Sequence, residues 1–67
     1  MSVAKNIEIT STSAIGFEDA IKKGIAKASE TIKGIKGAWV KEQKVRITDN
    51  QVTEYNVMMI VTFVLDE

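Results

Sequence analysis

The sequence predicts a small α+β subunit with element order β-α-β-β, three strands forming one antiparallel sheet, completed by assembly with copies of itself. Three observations lead there. The first is the C-terminal run Tyr55 to Leu65, which is apolar on both sides. Its odd positions are Tyr55, Val57, Met59, Val61, Phe63 and Leu65. Its even positions carry Met58, Ile60 and Val64, with Asn56 and Thr62 interrupting. Successive strand side chains point to opposite faces, so a strand with this pattern wants cover on both. The second observation is a single helical period, Ala14 to about Lys33, enough to cover one face only. The third is size: 67 residues make one domain, spanning residues 1–67, and a domain this short buries only about 60% of its unfolded surface. With no Cys and no His, disulfides and thiolate or imidazole metal sites are excluded, and oligomerisation is the remaining support. The second apolar face of the C-terminal strand reads as a subunit interface.

The first strand is Val3 to Thr10, with Val3, Ile7 and Ile9 on one side and Asn6, Glu8 and Thr10 on the other. Ser11-Thr12-Ser13 breaks that alternation and offers hydroxyl caps, with Ser13 the expected N-cap. In the helix, Phe17, Ala20, Ile21, Gly24, Ile25, Ala28 and Ile32 form the apolar stripe, and most of the lysines fall outside it. Glu18 and Asp19 suit the positive N-terminal end. Gly24 costs roughly 1 kcal/mol of helix propensity against Ala, so its place mid-stripe implies close approach of the sheet. Gly34 and Gly37 are expected to end the helix and turn the chain.

Ala38 to Thr48 is the second strand, with Trp39, Val45 and Ile47 on the odd face and Ala38 and Val40 on the even one. Lys41 and Gln43 interrupt the apolar side, which implies a bulge or a contact outside the subunit. Thr48-Asp49-Asn50-Gln51 is a hairpin signal, and Val52 to Leu65 returns as the third strand. The first strand then pairs with the other side of the third. Fourteen strand residues reach ~46 Å at ~3.3 Å each, against a compact diameter of roughly 28 Å for this length. The hairpin must therefore curl around the helix or project into a neighbour.

Nine basic and nine acidic residues cancel, so no net field favours nucleic acid or an anionic membrane. No apolar run approaches a membrane span, and the expected location is cytoplasmic. Catalytic constellations in their usual His- or Cys-dependent form are absent, and the four glycines make no phosphate-binding loop. An enzyme is not expected. Glu18 with Asp19, Asp49, and Asp66 with Glu67 are candidate oxygen ligands for a hard cation, without EF-hand spacing, and read better as surface charges. Trp39, the single Trp, reads as a core or interface anchor or as a stacking platform for a flat aromatic ligand.

Ile7-Glu8-Ile9, Thr12-Ser13 with Gly16, Ala20-Ile21, Ala26-Lys27-Ala28, and Glu54-Tyr55-Asn56-Val57 running to Val61-Thr62-Phe63 together resemble the dodecin family over nearly the whole chain. The resemblance implies a sheet curled around one helix and a hollow twelve-subunit shell. In flavin-storing dodecins an isoalloxazine stacks on a Trp at the start of the second strand, and a Gln in the third strand holds its polar edge. Here Gly37 stands where that Trp is expected, Trp39 lies two residues later, and Asn56 stands where the Gln is expected. Ala38-Trp39-Val40-Lys41-Glu42-Gln43 is more similar to a subgroup without that Trp, associated with calcium. The resemblance thus implies either a shell binding FMN, riboflavin or a related small aromatic through Trp39, Asn56 and Gly37, or a flavin-free structural or calcium-binding shell.

Overall fold

The strand that is apolar on both faces is the middle strand. A computed structural model describes residues 3–65, as β1 (Val3–Ser13), α1 (Phe17–Ala28), β2 (Ile35–Thr48) and β3 (Gln51–Leu65). The strand order is β1-β3-β2, and both outer strands run antiparallel to β3. β2 and β3 are joined by a two-residue turn in which Asp49 (φ 53°) and Asn50 (φ 64°) both take the left-handed conformation. That is the turn whose twist matches paired strands, and Asp and Asn tolerate it through their short polar side chains.

α1 lies on the odd face of β3. The fully buried apolar side chains are Ala20, Val57, Met59 and Val61, with Ile9, Phe17, Ile21 and Ile25 packed around this centre. The Phe17 ring meets Tyr55 edge-on, centroids 5.2 Å apart. Gly24 is the point of closest approach: a Cβ there would stand 2.6 Å from the Met59 methyl and 3.0 Å from Ser11 Cβ. The missing side chain lets the helix backbone rest on the sheet, as its place in the stripe implies.

The helix packs on β1 and β3 and leaves β2 almost uncovered. The consequence is an arm. The molecule measures 52 × 20 × 13 Å with a radius of gyration of 13.8 Å, against about 11 Å for a compact chain of this length. Its exposed surface is 4897 Å², where about 4,200 Å² is usual for the mass.

Several local expectations need correction. β1 continues to Ser13 because Ser11, Thr12 and Ser13 pair with Val57, Asn56 and Tyr55. Ser13 is not the helix cap. Its buried hydroxyl accepts from the Ile15 and Gly16 amides and donates to Asp19 Oδ2 at 2.6 Å, closing the turn from strand to helix. Gly16 holds the cap position without a side-chain bond, so α1 begins at Phe17. It ends at Ala28, five residues earlier than Lys33. The Ser29 hydroxyl bonds the Ile25 carbonyl, and the next amides shift to tighter spacing, Glu30 to Lys27 and Thr31 to Ala28. Gly34 (φ 77°) makes the turn into β2, lying against the Val64 carbonyl, whereas Gly37 is a strand residue.

The bulge expected near Lys41 is present, one of three register shifts in the β2–β3 pair. It overturns one placement. Trp39 faces Ile60, while Val45 faces Tyr55, so these two odd residues lie on opposite faces. Two residues oppose one at a bulge, which reverses the parity of everything beyond it. Ala38, Val40, Val45 and Ile47 therefore share the helix side of the sheet. Beyond the reach of α1, Val40, Val45, Ile47 and Val52 are exposed.

Candidate functional site

The face of the sheet turned away from α1 carries the three residues singled out above for an aromatic ligand, Gly37, Trp39 and Asn56. Register assigns its rows. Gly37 faces Thr62, which faces Asn6. Trp39 faces Ile60, which faces Glu8. Glu42 faces Met58, which faces Thr10, and Lys44 faces Asn56, which faces Thr12. The floor along β3 is apolar at Met58 and Ile60 and polar at Asn56 and Thr62.

Trp39 is 53% exposed on this face, held there by its strand pairing with Ile60. Beside it, a Cβ added to Gly37 would meet nothing within 4 Å. The indole therefore has a free flank and an apolar floor, the geometry that a flat ring needs for stacking. Asn56 stands four residues from Ile60 along β3, ~13 Å at strand rise. Its Oδ1 accepts from Thr12 Oγ1 at 2.6 Å, so the group it offers a ligand is its amide N–H pair. Thr62 Oγ1 likewise donates to Asn6 Oδ1 at 2.7 Å. Trp39 and Gly37 thus come together within one subunit, and Asn56 lies apart from them. Sequence reading missed the Lys41–Glu8 ion pair across this face, 3.2 Å between Nζ and Oε1. Its only signal is Glu8 on the polar side of β1, together with Lys41 sharing the parity of Trp39.

The carboxylates proposed for a cation are engaged elsewhere. Glu18 pairs with Lys22 at 2.9 Å and Asp19 with Lys23 at 3.2 Å, both on the helix surface. The hydrogen bond and charge of Lys22 lower the Glu18 carboxyl, and the Ser13 hydroxyl is the main cause lowering Asp19. Asp49 sits in the hairpin turn, and Asp66 and Glu67 lie outside the described residues. Among the described residues no three Asp or Glu side chains gather as a metal site, and no helix is long and apolar enough to cross a membrane. On the helix side, an open groove of about 790 Å³ runs between β1 and the C-terminal half of α1, with Ile9, Gly24, Ala28 and Ile32 in its lining.

The family model of dodecin matches residues 3–66. The chain belongs to the dodecin family. The dodecin of Thermus thermophilus is 37% identical over 65 residues, 97% of this chain and 94% of that protein. The solved dodecin of Streptomyces davaonensis superposes with a TM-score of 0.93 at 33% identity, covering 98% of this chain and 97% of that one. A calcium-chelating antigen, the calcium dodecin of Mycobacterium tuberculosis, superposes with a TM-score of 0.83 at 28% identity, covering 97% and 93%. The β-α-β-β order expected from the residues is observed, and it is the dodecin fold that the resemblance implied.

Proposed function

We propose that this dodecin is a non-enzymatic subunit of a hollow dodecamer that binds a flat aromatic ligand of the flavin class, FMN or riboflavin, on its open sheet face. One observation carries the reading. A single Trp stands exposed on an uncovered sheet face, next to a glycine that leaves its flank open. Trp carries a large apolar surface and is enriched where one molecule meets another, so an exposed Trp suits contact with a ligand or a neighbouring subunit. Stacking on Trp39 supplies the apolar contact, and Gly37 leaves room for the ring. Asn56, ~13 Å along β3, joins the same pocket when contributed by an adjacent subunit, where it donates to the ligand's polar edge. Self-association draws on the exposed arm residues Val40, Val45, Ile47 and Val52 and on the groove beside α1, surfaces that one subunit cannot cover alone.

A flavin-free structural or calcium-binding shell is the second reading, favoured by Gly37 at the place of the usual stacking Trp and by the calcium-chelating relative. Titration of riboflavin or FMN separates the two. Stacking quenches flavin fluorescence, and Trp39→Ala abolishes the quench. Unchanged fluorescence at high micromolar protein removes the flavin reading. A calcium-dependent rise in melting temperature, reversed by a chelator, then supports the second.

A further inference from the structure

Taking the stacking reading as its basis, we infer that Glu8 and Lys41 form a recognition wall for the polar edge of the stacked ring. The wall selects a heteroaromatic with an imide edge, a ring N–H beside a ring carbonyl.

The rows of the sheet bring these residues together. Trp39 and Glu8 face the same residue, Ile60, from opposite sides. Their backbones are thus two strand spacings apart, ~10 Å. Lys41 follows Trp39 by two positions on the same face, ~7 Å along β2. It lies on one outer strand and Glu8 on the other, so their 3.2 Å contact spans the middle strand beside the indole. The result is a tray: Ile60 and Met58 as floor, Trp39 at one side, an ammonium and a carboxylate crossing at the other.

Stability gives this contact little reason to exist. Both side chains are half in water, at 54% and 44% exposure, and exposed pairs of this kind contribute little after the entropy of ordering a long lysine. What the pair does supply is chemistry. The Lys41 ammonium has three hydrogens and spends one on Glu8. The Glu8 carboxylate accepts at several lone pairs and uses one. A donor and an acceptor are left side by side, which complements an N–H and a C=O in sequence. Charge-assisted bonds to both are stronger than those of a neutral amide. Asn56 does not read this edge in the same subunit, being ~13 Å farther along β3.

The test uses the assembled protein with lumiflavin, which carries the imide N–H, and N3-methyl-lumiflavin, which lacks it. The wild type is expected to bind lumiflavin at least tenfold more tightly than the methylated ring. Glu8→Ala should lose that preference, because the carboxylate accepts the imide N–H. Lys41→Met should weaken both ligands alike, because the carbonyl it donates to is present in both. Each variant should retain the native assembly mass. Equal wild-type affinity for the two ligands overturns the inference without any mutant. So does a Glu8→Ala protein that keeps the wild-type preference, or a Lys41→Met protein that binds both ligands as tightly as the wild type. If Trp39→Ala binds lumiflavin as well as the wild type, the stacking reading itself fails and takes this one with it. If Trp39→Ala abolishes binding while Glu8→Ala and Lys41→Met behave as wild type, only the wall is lost.

Discussion

Replacing Gly24 with alanine should destabilise this protein even though alanine is the better helix former. The propensity gain is about 1 kcal/mol. Against it stands the space: the new methyl would lie 2.6 Å from the Met59 methyl and 3.0 Å from Ser11 Cβ. The Met59 methyl ends a flexible side chain, but Met59 is 1% exposed and has no solvent to move into. Ser11 Cβ is fixed to a paired strand and moves only with the backbone. Overpacking of this kind costs typically 1–3 kcal/mol, which leaves a net loss of about 1 kcal/mol. Urea unfolding at fixed subunit concentration, with mass action held constant, measures it. A cycle with Met59→Ala localises the cause. That substitution alone should cost about 2–5 kcal/mol, and Gly24→Ala added to it should cost less than it does alone, because the methyl fills part of the cavity. A Gly24→Ala protein about 1 kcal/mol more stable than wild type, or strictly additive changes, would refute the close approach of α1 to β3.

Two further substitutions probe the turns. Asn50→Ala should cost about 1 kcal/mol, because φ of 64° suits Asn and Gly and strains Ala; Asn50→Gly should not, and equal losses for both would count against the turn geometry. Asp19 makes acid stability conditional. Its carboxyl is lowered from 3.8 chiefly by the Ser13 hydroxyl, with Lys23 adding to it against partial desolvation. A lowered folded value contributes stability above the unfolded one and loses it as pH falls through the folded one. Asp19→Asn should therefore be less stable than wild type at neutral pH, with urea midpoints converging below about pH 3.8. A gap that persists in acid would assign the effect to something other than this charge.

The architecture was legible because periodicity reports burial. Val57, Met59 and Val61 alternate and are buried, Ala20 and Gly24 fall on the helical stripe and are buried, and Asp49-Asn50 announces its turn. The details that escaped are those set by competition between local bonds. Ser13 can cap a helix or close a turn, and the Ile15 and Gly16 amides together with Asp19 decide for the turn. The stripe continues to Ile32, yet Ser29 and the shortened amide spacing after it end the helix. At the candidate site, Trp39 reads from the sequence as a core or interface anchor or as a stacking platform, and its 53% exposure within the subunit takes it out of the core. Its face was not legible, since the bulge after Val40 places Trp39 and Val45 on opposite sides. Glu8 and Lys41 are 33 residues apart, and only the pairing of both outer strands with β3 brings them within reach.

The arm projects, the helix side of β2 is uncovered, and the exposed surface exceeds that of a compact chain, all of which follow if copies shelter one another. Sedimentation at micromolar concentration decides it. The expected result is a discrete large species, about 89 kDa for twelve copies of the 7.4 kDa subunit, that Ile47→Asp on the exposed arm weakens. A stable species of 7.4 kDa in the wild type would contradict it.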